Sequence, residues 1–227
     1  MSDARSPTPA SKSPPKPKLR GVFHLLAALA VLPLGVGFIR GVAPALTTAV
    51  SLYCLSLLLL FSVSALYHVP MWAPAPRARL RRLDHAMIYV LIGGSYLPYL
   101  AALGERAPGW LMPAVILTTL AGVLKSLLWT GKSRLLRSLP FLLFGLAGFM
   151  IVPELLQRFG GAPVSLLIGG GALYGFGIVF YVRKRPNPWP SYFGYHEIFH
   201  LFVNGAAACH FWSIWQVTEG YQRLIGS

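Results

Sequence analysis

Two histidines four residues apart, His196 and His200, stand in the run Tyr195-His196-Glu197-Ile198-Phe199-His200. On a helix this spacing puts both imidazoles on one face, about 6 Å apart, a separation that suits two ligands of one ion. Ser64 and His68 repeat the spacing, and Asp84 precedes His85 in a third polar segment. Neutral imidazole is a good zinc ligand, and three histidines leave the fourth position that catalytic zinc keeps open. His68, His196 and His200 are therefore predicted to hold Zn²⁺. Asp84 would act as base for, or orient, the attacking water, and Ser64 would steady a ligand or an oxyanion.

Each residue has a plainer alternative. Asp84 stands where a helix N-cap belongs, and His68 could present its polar tip to lipid headgroups. Residues 196–200 also match H-E-x-x-H, in which Glu197 would be the general base of a metalloprotease. That match carries little weight on a helix that continues as an unbroken membrane span. His24 and His85 are expected at the membrane interface. His210, about 21 Å along the helix from His196, lies too deep for the same ion.

The elements that must position these groups are membrane spans. The chain of 227 residues is 55% hydrophobic and only 11% charged, which excludes an ordinary soluble domain. Apolar runs fill residues 22–39, 44–67, 85–103, 109–129, 138–157, 163–182 and 193–216. Each suits a hydrocarbon core of about 30 Å, so the predicted fold is all-α and integral to the membrane, with seven transmembrane helices. Breakers such as Val69-Pro70 and Arg185-Pro186-Asn187-Pro188 separate them.

Of the 20 Lys and Arg residues, sixteen fall on one side of the membrane, where the N-terminal tail, the 2–3, 4–5 and 6–7 connections lie. Cytoplasmic loops accumulate these residues, so the N-terminus is expected inside and the C-terminus outside. That polarity brings His68, Asp84, His196 and His200 to one membrane depth. The formal charge of +14 is scattered between apolar runs rather than gathered on one face, which argues against nucleic acid as a partner. Membrane lipid is the expected partner.

Residues 1–20, rich in Pro and Lys, are expected to be a disordered cytoplasmic tail, with the transmembrane domain over 21–217 and a short outer tail over 218–227. Span 1 is expected to be retained rather than cleaved as a signal. Cys54 and Cys209 lie in apolar runs and are expected to be free buried thiols. Gly169, Gly170, Gly171, Gly175 and Gly177 offer a small-residue face for helix packing, and Trp189, Tyr192, Trp212 and Trp215 are expected interfacial anchors.

Three ordered motifs carry a family resemblance: Ser64-Ala65-Leu66-Tyr67-His68, the stretch from Leu83-Asp84-His85 to Tyr96-Leu97-Pro98, and His196-Glu197-Ile198-Phe199-His200. Together with the seven spans they resemble the bacterial hemolysin III family of the progestin and adipoQ receptor superfamily, over about residues 20–217. The resemblance implies a seven-helix zinc fold with the N-terminus inside. It matches His68, His196 and His200 to the zinc ligands, Asp84 to the aspartate near the reacting water, and Ser64 to the serine of the helix 2 motif. The acidic and Asn-containing lead-in of the family is replaced by Arg20-Gly21-Val22-Phe23-His24. Relatives are described both as receptors and as hydrolases of lipid amides.

Three functions follow as expectations: a zinc-dependent hydrolase of a lipid amide or ester, a membrane sensor or homeostasis protein with a structural zinc, and, with least support, a pore-forming cytolysin. The expected location is the cell inner (plasma) membrane.

Overall fold

The structure, a computed structural model, describes residues 16–128 and 133–226. Most of the tail expected to be disordered, and Lys132 of the charge pattern, lie outside the described residues.

Among the described residues the chain is helical, with no strand. The helices are α1 (Val22–Gly41), α2 (Pro44–His68), α3 (Pro74–Leu103), α4 (Leu111–Leu128), α5 (Arg134–Leu146), α6 (Val152–Phe159), α7 (Gly161–Arg183) and α8 (Tyr195–Ile225). A 3₁₀ stretch, Ala147–Ile151, joins α5 to α6, so the two make one rod and the bundle has seven long helical segments. Six of these are long and apolar enough to cross a membrane by length and composition. The seventh, α8, is the longest at 31 residues and carries His196, Glu197, His200, Asn204 and His210. The fold is an all-α integral membrane bundle.

Its surface supports this assignment. Leu25, Leu26, Leu29 and Leu32 on α1, and Leu117, Leu120 and Leu124 on α4, are exposed. In water these leucine stripes would be costly; against acyl chains they are not. Inside, small residues set the helix spacing, because lipid supplies no hydrophobic drive between helices. A Cβ on Gly122 would fall 2.1 Å from the Tyr89 ring, and one on Gly94 would fall 2.4 Å from Ser56 Oγ. Of the five glycines expected to pack α7, Gly170 and Gly177 do so, against His210 and Phe202 of α8; Gly169, Gly171 and Gly175 have open space at the Cβ position.

Two boundaries differ from expectation. The third span begins at Pro74, not near residue 85. Pro74 and Pro76 suit a first turn, where their missing N–H groups are no loss, and the arginines from Arg77 to Arg82 are good helix formers on a polar extension. Asp84 therefore lies well inside α3 and is no N-cap. The last helix runs past residue 217 to Ile225, with Val217 and Thr218 buried. Trp215 Nε1 donates to Glu219 at 2.8 Å and Glu219 meets Arg223, so four-residue pairs carry the last turns.

Candidate metal centre

Two helix ends and the interior of a third helix deliver the site. α2 stops at His68 because Val69-Pro70 follows, leaving the imidazole at its last turn. α8 starts at Tyr195, so His196 and His200 sit in its first two turns. α3, with its early start, places Asp84 alongside.

The ligand atoms of His68, His196 and His200 all lie within 4.8 Å of one another. The Nε2 atoms of His68 and His196 are 3.2 Å apart, close to the edge of about 3.3 Å that two Zn–N bonds make in a tetrahedral site. His200 is 1% exposed, and its Nδ1 has no partner among the described residues. Two buried imidazoles and one part-buried, with one nitrogen left over, fit a metal ion better than a hydrogen-bonded cluster. The predicted histidines thus converge.

Asp84 Oδ2 stands 3.9 Å from His68 Nε2, beside the cluster yet too far for a direct hydrogen bond. Its carboxylate is consequently not used up in holding the imidazole. Ser64, buried one helical turn before His68, is a hydrogen-bonding neighbour of Asp84 and pairs with His24 Nδ1 at 2.8 Å. His85 is not part of the histidine cluster; its Nδ1 meets Arg81 O at 2.6 Å and lies 4.0 Å from Asp84 Oδ2.

His24 is the residue that sequence reasoning left out. It is buried rather than interfacial, and its ring stacks on that of His200 with centroids 3.7 Å apart and planes 4° from parallel. The available signal was its position: a histidine at the start of an apolar span, at the same depth as His68. What hid it was the missing acidic lead-in, which removed the motif that would have marked it.

The residues just before α1 also join the site. Lys18 N and Leu19 N donate to Ser191 O and Tyr192 O, so the chain pairs with the α7–α8 connection. Lys16 Nζ donates to Val69 O and Pro70 O, covering the α2 terminus. Partial burial, then the nearby Arg20 and Arg77, push the Lys16 ammonium down from its usual range. Gly21, at φ 85°, lies so close to His68 that a Cβ would fall 2.6 Å from His68 Cβ. Only glycine meets both the left-handed backbone and the contact.

Glu197 is fully engaged elsewhere. Arg20 Nε donates to its Oε1, and Gly194 N donates to its Oε2 at 2.8 Å, closing the first turn of α8. The H-E-x-x-H match thus reflects a cap and an ion pair, with no free carboxylate oxygen at position 197. With the Glu197 side chain fully buried, removing Arg20 leaves an uncompensated charge. Arg20→Ala is expected to lower unfolding stability by about 3 kcal/mol, and adding Glu197→Gln to restore part of it. Thermal melting of the two variants checks this; a double variant no more stable than the single one contradicts it.

A cavity of about 1400 Å³ opens beside the histidines. Arg20, Arg77, Arg81 and Asp84 line it near the cluster, while Leu57, Ile88, Leu91, Phe141 and Val203 wall its course into the bundle.

With this geometry in view, comparison with known proteins places the chain. The model of the haemolysin-III related family matches residues 12–211. The chain belongs to the haemolysin III family. Among curated haemolysin III relatives, "Hemolysin-3" of Bacillus cereus is 27% identical over 195 residues, covering 86% of each chain. The "Hemolysin-3 homolog" of Bacillus subtilis (strain 168) is 30% identical over 165 residues, 72% of this chain and 74% of the relative. The human "Monocyte to macrophage differentiation factor" is 29% identical over 179 residues, covering 73% and 68%.

Proposed function

We propose that this haemolysin III protein is an intramembrane hydrolase of a lipid amide or ester, using zinc held by His68, His196 and His200 at the cytoplasmic end of the bundle in the inner (plasma) membrane. The observation that carries the reading is the Asp84 carboxylate, 3.9 Å from His68 Nε2, at the mouth of a cavity that Leu57, Ile88, Leu91, Phe141 and Val203 wall on its course into the bundle. A structural metal needs ligands; it needs neither a carboxylate standing beside them nor a chamber for an acyl chain.

When bound, zinc would polarise the carbonyl and lower the pKa of the attacking water. Asp84 takes the proton that the water gives up and passes it to the leaving nitrogen or oxygen. Ser64, between Asp84 and His24, gives its one hydroxyl hydrogen to the carboxylate and holds it in place. His24, stacked on His200, fixes the plane of that ligand. Arg77 and Arg81 supply positive charge at the mouth for the polar head.

A second reading has one observation in its favour. α2 and α8 are not among the strongly packed helix pairs, which are α7 with α8, α2 with α3, α3 with α4 and α1 with α2. A metal joining His68 to His196 and His200 would tie them, as a sensor or homeostasis protein could require. Incubating the purified protein with a mixture of lipid amides and esters, followed by mass spectrometry, decides between the two. Hydrolysis of one lipid class, abolished by a chelator and restored by zinc, is expected. Chelator-sensitive melting without turnover of any lipid would favour the tie.

A further inference from the structure

The far end of the same cavity is polar in a way that the metal centre does not require. Tyr53 of α2, Tyr99 of α3, Tyr174 of α7 and His210 of α8 line it. His210 follows His200 by ten residues on one helix, about 15 Å along its axis. Tyr53 is 0% exposed, and its hydroxyl has no partner among the described residues; neither has His210 Nδ1. Tyr99 and Tyr174 are the electrostatic neighbours of Tyr53, and the Tyr174 ring lies 5.7 Å from that of His210.

Tyr99 is anchored: its hydroxyl donates to Ser213 Oγ at 2.7 Å, which donates to Pro163 O at 2.7 Å. An acceptor site on the Tyr99 oxygen remains free. His210 fits only because residue 170 is glycine, since a Cβ there would fall 2.7 Å from His210 Cδ2. Helix packing accounts for the place of the ring but leaves its Nδ1 unmet among the described residues. Phenylalanine at position 53 and an aliphatic residue at 210 would fill the same space without the cost of buried, unmet polar atoms, about 1–3 kcal/mol each.

The chemistry of the cluster restricts its ligand. The charged groups that line the cavity, Lys16, Arg20, Arg77, Arg81, Asp84 and Arg134, belong to the metal end. The far end has only neutral donors and acceptors, so neither a carboxylate nor an ammonium is matched there. A hydroxyl, which both gives and accepts a hydrogen bond, is matched.

We propose that Tyr53, Tyr99, Tyr174 and His210 form a second subsite, which binds a hydroxyl carried part-way along the acyl chain of the lipid. The placement of the lipid's amide or ester head at the histidines rests on the hydrolase reading; the hydroxyl subsite itself does not. The cavity then selects chains hydroxylated at a depth of about 15 Å over plain chains of equal length.

The test uses the full chain in lipid nanodiscs and two lipid amides, one stearoyl and one bearing a mid-chain hydroxyl, competing against a fluorescent acyl probe. The hydroxylated amide is expected to bind about tenfold more tightly, the effect of one net hydrogen bond in a dry site. Tyr53→Phe and His210→Leu, on different helices, should each bring the two affinities close together while leaving that of the stearoyl amide unchanged. Equal affinities in the wild type, binding of neither amide, or a preference that survives both substitutions would overturn the subsite. Hydroxyl preference without cleavage of either amide would instead count against the hydrolase reading and leave the subsite standing.

Discussion

Alanine at His200 is expected to strip the metal. Wild-type protein purified in detergent should carry about one zinc per chain, and His200→Ala less than a tenth of that, because the site has three protein ligands and two do not hold zinc against solvent. His68→Ala should behave alike, although it lies 132 residues away in sequence, since its Nε2 is 3.2 Å from that of His196. His85→Ala is the control, for its ring engages Arg81 O and stands outside the cluster. Melting should follow the metal. A ligand at a hundred times its Kd stabilises the folded state by about 2.7 kcal/mol, so a chelator should lower the Tm of the wild type and leave that of His200→Ala where it is. Elemental analysis provides the first readout and melting with and without chelator the second. Zinc retained near one per chain in both alanine variants would remove the metal centre from this account.

The three clustered histidines were legible in the sequence, and the residues that complete their surroundings were not. His196 and His200 are marked by a spacing that only a helix makes meaningful, and His68 by the breaker that follows it. Those signals are local. His24 reaches the site through packing of α1 against α2 and α8, and no local spacing encodes a stacked ring from another helix. Glu197 shows the opposite case: the local H-E-x-x-H match, of little weight on a membrane helix, offered a base, and tertiary structure assigns the carboxylate to Arg20 and the Gly194 amide.

The spans were equally readable where apolar length decides them, and misjudged where it does not. α3 gains a turn-and-more of arginines before its apolar run, because helix propensity and two prolines in the first turn continue where hydropathy stops. α8 lies at the other limit. Its polar residues lower its apolarity below that of the other six segments, and three of them, His196, His200 and His210, line the cavity. The helix that least resembles a membrane span by composition is the one that carries two of the three clustered histidines.

Asn at position 84 is expected to separate catalysis from metal binding. Asp84→Asn keeps the size of the side chain and its hydrogen bonding to Ser64, but it removes the group that can accept a proton. Because Asp84 Oδ2 is 3.9 Å from His68 Nε2 and not bonded to it, the three ligands keep their places and zinc content should remain at the wild-type level. Turnover of the lipid identified for the wild type should nevertheless fall by about 10²- to 10⁴-fold, the range for losing a general base. His200→Ala loses turnover together with its metal, so it cannot tell a catalytic ion from a structural one. Asp84→Asn can, because a sensor that uses the ion only to join α2 and α8 has no proton to move. Unchanged turnover by a fully metallated Asp84→Asn would mean that this carboxylate serves the bundle alone, and the base would then have to be sought among the other polar groups at the mouth.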